Sequence, residues 1–82
     1  MTYGEIEATV KEVLAKQLTM EAGRINLDSR LVEDLGIDSF GSVEVAFELE
    51  EKFNIKIPDA ALYEAKTVKN IVYYIASQKE GK

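Results

Sequence analysis

The sequence predicts an all-α fold, a small four-helix bundle with a long first loop and a short third helix. Three observations predict it. Apolar residues recur at helical spacing in separate segments, as in Ile6, Val10, Val13, Leu14 and Leu18 near the start and Val68, Ile71, Val72, Ile75 and Ala76 near the end. The one stretch with strand-like alternation, Phe53, Ile55 and Ile57 about Asn54 and Lys56, has no second strand to pair with and reads as a connector. The chain has 82 residues, enough for one small domain, 1–82, whose core is modest because a chain this size buries only about 60–65% of its extended surface.

Each element has its own signal. Thr2-Tyr3-Gly4-Glu5 reads as a capping box, with Thr2 the N-cap and Glu5 reaching back, so a first helix runs from Tyr3 to Leu18. Thr19 to Asp38 lacks a helical period and holds Gly23, Asn26, Asp28, Ser29 and Gly36. A loop of about 20 residues is long for a compact domain, but Ile25, Leu27, Leu31, Val32, Leu35 and Ile37 are placed to pin it over the core. A second helix covers Ser39 to Phe53, with Asn54 as its C-terminal residue and Pro58 barring extension. Asp59 to Glu64 forms a short third helix, and Thr67 caps a fourth, with residues 78–82 a frayed tail.

Composition removes several functional classes. The chain has no histidine and no cysteine, which excludes disulfides, thiol chemistry, thiolate metal sites and a histidine-activated nucleophile. The cysteine-free composition fits a cytoplasmic protein. Nothing approaches the 18 or so apolar residues of a membrane span, and Thr2-Tyr3-Gly4-Glu5 lacks the basic start of a signal peptide. Fifteen acids face ten bases, and seven of those acids, Glu33, Asp34, Asp38, Glu44, Glu48, Glu50 and Glu51, lie in a stretch with no lysine or arginine. Nucleic acid is therefore not an expected partner. A basic protein surface is the natural complement, against the plainer reading of a solvated face.

The second helix has two faces. At about 100° per residue from Ser39, the residues Val45, Leu49, Phe53, Ala46 and Val43 share one arc, and Glu44, Glu48 and Glu51 form an acidic stripe. Phe40 and Phe47 lie between them as an apolar rim. Glu50 falls inside the apolar arc, where a glutamate is rarely fully buried, so the helix emerges there or the side chain bends outward. Ser39 opens the helix within Gly36-Ile37-Asp38-Ser39-Phe40. A serine at a helix start most often caps it. The spacing does not match a Gly-x-Ser-x-Gly elbow, and Asp28, Asp34 and Asp38 do not match a calcium loop, so no metal site is expected. If Ser39 has a chemical role, another protein must act on it.

Val32-Glu33-Asp34-Leu35-Gly36-Ile37-Asp38-Ser39, Val43-Glu44, Leu49-Glu50-Glu51-Lys52-Phe53, Ile57-Pro58-Asp59 and Thr67-Val68 occur in that order. The ordered set resembles the acyl carrier protein family over nearly the whole chain. The resemblance implies a monomeric carrier, not an enzyme, in which Ser39, preceded by Asp38, bears 4′-phosphopantetheine. A phosphopantetheinyl transferase would install the group from coenzyme A with Mg²⁺, and its thiol would hold acyl groups as thioesters. That would account for the missing base and the missing cysteine together. The resemblance also implies that Asp38, Glu44, Glu50 and Glu51 meet basic surfaces on acyl-transfer, synthase or ligase partners. Phe40 and Phe47 take apolar contact positions, and Glu48 adds an acid to the partner face. Val43, Leu49, Phe53, Ile57, Leu62 and Ile71 would line or support the acyl cavity, which Ala61 and Ala65 would leave loose.

Two features depart from the family's usual pattern. Gly41 and Lys52 stand where many fatty-acid carriers have acids. Phe40-Gly41-Ser42-Val43-Glu44 is locally closer to D-alanyl carrier proteins. Fatty-acid, specialised lipid or polyketide cargo is therefore expected, with aminoacyl or aryl cargo as the alternative and an unmodified acidic interaction module as the rival from another class.

Overall fold

A computed structural model describes residues 2–80, leaving aside the side chains of Asp59, Leu62, Tyr63 and Glu80. The first helix, α1 (Tyr3–Leu18), begins where expected. The Glu5 N–H donates to Thr2 Oγ1 at 3.1 Å, and the Thr2 N–H donates to Glu5 Oε1 at 2.8 Å. This reciprocal box satisfies two groups that a helix start otherwise leaves without partners. Hydrogen bonding from the Thr2 backbone N–H, and then from its hydroxyl, holds the Glu5 carboxyl below its ordinary range. Ile6, Val10, Val13 and Leu14 form its buried stripe, and the chain leaves the helix through Thr19 in the left-handed conformation (φ 56°).

The long loop is anchored by more than its apolar residues. Ile25, Leu31 and Ile37 are buried, Leu27 and Leu35 pack partly against the core, and a single 3-10 turn forms at Ala22–Arg24. Val32 is a correction to the expected set: it is 67% exposed. The decisive contacts are main-chain ones. The Leu31 N–H donates to the Lys66 carbonyl at 2.9 Å, Val68 to Ser29 at 3.1 Å and Lys69 to Leu27 at 2.9 Å. The loop thus runs antiparallel to the start of the last helix for a few residues, with a single bridge between Arg30 and Thr67. Gly36, at φ 72°, turns the chain back, a conformation that glycine adopts without the usual side-chain cost. Arg30 braces that turn by binding Asp34 through its N–H at 2.8 Å and its guanidinium at 3.3 Å, which holds the Asp34 carboxyl below its ordinary range.

The second helix, α2 (Ser39–Phe53), ends at Asn54 in the left-handed conformation (φ 56°), as its sequence position suggests. Residues 55–57 form the connector, followed by α3 (Asp59–Glu64), six residues long, and α4 (Val68–Glu80). Thr67 caps α4 by accepting from the Asn70 N–H at 3.3 Å, and Asn70 Oδ1 accepts in return from the Lys66 and Thr67 N–H groups. Of the tail expected to fray, 78–80 belong to α4 and 81–82 lie outside the described residues.

Three long helices make the packed body, with α1 against both α2 and α4. No extended strand forms among the described residues. Phe53, Leu14, Leu49, Ile6, Ile25 and Ile75 are almost wholly buried at the centre. Each such side chain contributes about 1.5–3 kcal/mol relative to exposure, and this packing is what fixes the start of α2 in place. No helix among the described residues is long and apolar enough to cross a membrane.

Candidate functional site

The start of α2 is capped by Asp38, and this corrects the expectation that Ser39 caps it. Asp38 Oδ1 accepts from the Gly41 N–H at 2.7 Å, and the Asp38 carbonyl accepts from Ser42 at 2.9 Å. Asp and Ser are equally good caps, so residue type alone does not choose between neighbours. The consequence matters. Ser39 is the first helical residue, exposed, with its hydroxyl not taken up by the cap. Gly41 belongs to the same arrangement: a Cβ there would lie 3.1 Å from Asp38 Oδ1. Glycine lets the carboxylate close tightly on the first turn.

The outward face of α2 carries two large rings. Phe40 is 72% exposed and Phe47 65%, with Val43 beside them at 44%. Val43 is therefore not a core residue, as the wheel suggests it should be. The acidic stripe is not uniform either. Glu51 is exposed. Glu44 Oε1 accepts from Gln17 Nε2 at 2.6 Å, and Glu48 Oε2 accepts from Lys16 Nζ at 3.2 Å, so these two reach back to the end of α1. Glu48 is half-buried rather than fully in solvent.

Glu50 resolves the conflict in the helical wheel by a third route. Its side chain neither emerges nor bends away. It turns along the body, and Oε2 accepts from the Ile57 N–H at 2.7 Å in a part-buried setting. The carboxylate is engaged by backbone, which sets Glu50 apart from the exposed acid Glu51. The signal was weak in sequence: an acid in an apolar arc, seven residues before a connector that lacks a strand partner.

Two hollows adjoin this helix. An open groove of about 400 Å³ begins at Ser39 and Ser42 and continues past Leu31, Val32 and Ile37 to Lys66. Behind it lies a small apolar pocket of about 30 Å³ among α2, α3 and α4. Of the expected cavity residues, Leu49, Ile57 and Ile71 line the small pocket. Phe53 does not line it, since it is buried in the central core at 1% exposure, and Val43 faces outward. The Leu62 side chain falls outside the described residues. Val45, Ala46, Tyr74 and Ile75 complete the wall. Ala61 and Ala65 line it too, and the pocket among the described residues is small rather than loose.

These features fit a covalently held phosphopantetheine arm: an exposed hydroxyl, a helix mouth that favours an anion, and a groove of cofactor size. The comparisons agree. The family model described as a phosphopantetheine attachment site matches residues 8–75. The protein is thus a phosphopantetheine-dependent carrier and not an enzyme. An acyl carrier protein of Onion yellows phytoplasma is 47% identical over 80% of this chain and 87% of its own length. One from Helicobacter hepaticus is 45% identical over 87% of this chain and 93% of its own. A solved structure from Mycobacterium tuberculosis, described as an acyl carrier protein, superposes with a TM-score of 0.83 at 29% identity, covering 89% of this chain and 97% of that one. The chain belongs to the acyl carrier protein family.

Proposed function

We propose that Ser39 is the attachment site and that the chain works as a single-domain, monomeric carrier of acyl intermediates. The observation that carries this is the exposed Ser39 hydroxyl, left free by the Asp38 cap at the mouth of the groove. The bound group supplies a thiol, which holds acyl groups as thioesters. The protein's own residues orient the arm and present it. Asp38 fixes the first turn, and Phe40, Val43, Phe47, Glu44 and Glu51 form the face that meets partners. Those partners are a phosphopantetheinyl transferase and acyl-transferring enzymes of a fatty-acid, specialised lipid or polyketide pathway, each with basic groups around apolar hollows. In this reading α3 completes a four-helix bundle as the lid of the small pocket.

A second cargo class has one observation in its favour. A pocket of about 30 Å³ holds roughly one water-sized group, so sheltering a long acyl chain requires its walls to move, whereas an aminoacyl or short acyl group carried on the arm outside the pocket makes no such demand. Intact mass after incubation with coenzyme A, Mg²⁺ and a broad-specificity transferase tests the assignment. The wild type should gain one phosphopantetheine and Ser39→Ala none. Uptake by Ser39→Ala would sink the Ser39 assignment, and no uptake by the wild type would leave an unmodified acidic module.

A further inference from the structure

Among the described residues, the groove that opens at Ser39 has a single basic residue in its lining, Lys66. Its position is fixed by backbone. The Leu31 N–H donates to the Lys66 carbonyl at 2.9 Å, and the Ile37 N–H donates to the Leu31 carbonyl at 2.9 Å. Two hydrogen bonds therefore connect Lys66 to the residue two before Ser39. The other bases nearby are committed, Arg30 to Asp34 at 3.3 Å and Lys69 to Asp28 at 3.8 Å. Lys66 takes part in none of the ion pairs among the described residues, and it is exposed. The acids of the groove are Glu33 and Asp38, and the Asp38 carboxylate is directed at the Gly41 N–H.

We propose that Lys66 anchors the phosphodiester of the arm and folds the unloaded arm back along this groove. The proposal rests on Ser39 being the attachment site. A phosphodiester placed on Ser39 adds negative charge to a region already holding Glu33, Asp34 and Asp38. Lys66 is the one cation among the described residues of the groove wall able to offset it. The groove, at about 400 Å³, falls within the range of roughly 300–1,000 Å³ that small-ligand sites occupy; the apolar pocket behind it does not. A partner offering stronger basic groups would then draw the arm away, so the contact shields the thiol between encounters.

The test uses the modified protein without cargo, so that no carboxylate on an acyl group competes as the anion. Peptide mass first establishes modification at Ser39. Backbone amide NMR then compares the unmodified and modified forms, and the rate of the arm thiol with a neutral thiol reagent is compared with free pantetheine. The expected result is amide shifts at Leu31, Val32 and Lys66 as well as at residues 38–42, together with a slowed thiol. Lys66→Gln should speed that thiol about two- to fivefold, the scale of an exposed ion pair, and Lys66→Arg should restore the slow rate. High salt should speed the wild type and not Lys66→Gln, since screening weakens the same contact. Modified protein whose shifts stay within residues 38–42, with equal thiol rates for wild type and Lys66→Gln, overturns the anchoring. Absence of modification at Ser39 overturns the attachment reading itself, and the anchoring with it.

Discussion

Glu50 has a structural contact that the exposed Glu51 lacks, and its truncation measures the difference. Its carboxylate accepts the Ile57 N–H at 2.7 Å in a part-buried position, and Ile57 packs on the core and lines the small pocket. Hydrogen bonds to charged groups contribute about 1.5–3 kcal/mol, and partial solvent access reduces this to about 1–2 kcal/mol here. Glu50→Ala should therefore lower stability by that amount, because it leaves the Ile57 N–H without its acceptor. Glu50→Gln keeps an acceptor and should cost less than about 1 kcal/mol. Glu51→Ala, on the exposed face, should change stability by no more than about 0.5 kcal/mol. Urea unfolding followed by circular dichroism reads all three, and each kcal/mol corresponds to roughly 4–8 °C in Tm for a domain of this size. The paired measurement is the rate of transferase modification under native conditions, where Glu51→Ala should be slowed and Glu50→Gln should not. A Glu50→Ala protein as stable as Glu51→Ala, but modified more slowly, would refute the reasoning and return Glu50 to the docking face.

Three further outcomes follow from the same geometry. Asp38→Ala should destabilise by about 0.5–2 kcal/mol through loss of the cap, whereas Ser39→Ala should stay within about 0.5 kcal/mol; urea titration compares them, and the reverse order would move the cap to Ser39. Reversing Glu44 and Glu51 to lysine should slow transferase modification and flatten its salt dependence, since steering between opposite charges is screened by salt; an unchanged salt series would make the stripe a solvated face only. Asp34 and Glu5 have carboxyls lowered in the folded state, by Arg30 and by Thr2 respectively. Their contribution is present above the ordinary carboxyl range and is lost as pH falls through the lowered values, so Asp34→Asn and Glu5→Gln should each reduce the acid-side loss of stability seen in thermal melts across pH.

Local chemistry made most of the fold legible. A capping box, a left-handed Asn, a proline and a Thr cap each act within a few residues, and the bounds of α1, α2 and α3 follow from them. What sequence could not convey were choices set by distant partners. The loop is secured by main-chain hydrogen bonds to Lys66, Val68 and Lys69, which have no side-chain signature. Val43 lies on the apolar arc of the wheel yet is exposed, because the buried arc is centred on Val45, Leu49 and Phe53 and Val43 falls at its edge. Glu44 and Glu48 lie on one stripe, yet Gln17 and Lys16 at the end of α1 engage both.

The first turn of α2 shows why the site required the structure. Asp38 and Ser39 are adjacent and equally suited to cap, but only one can hold the β-region backbone of an N-cap while the next enters the helix. The core decides. Ile37 is buried and its N–H is bound to Leu31, which fixes the chain so that Asp38 is the last extended residue, at φ −91° and ψ 179°. Ser39 must then be helical and outward, with Gly41 making room for the Asp38 carboxylate. A glycine that costs roughly 0.5–1 kcal/mol of helix stability relative to alanine thus helps the aspartate serve as cap, and the aspartate in turn leaves the serine hydroxyl outside the cap. If Ser39 is the attachment site, as proposed, the chain's own task there is to keep one hydroxyl exposed at a helix mouth beside a groove.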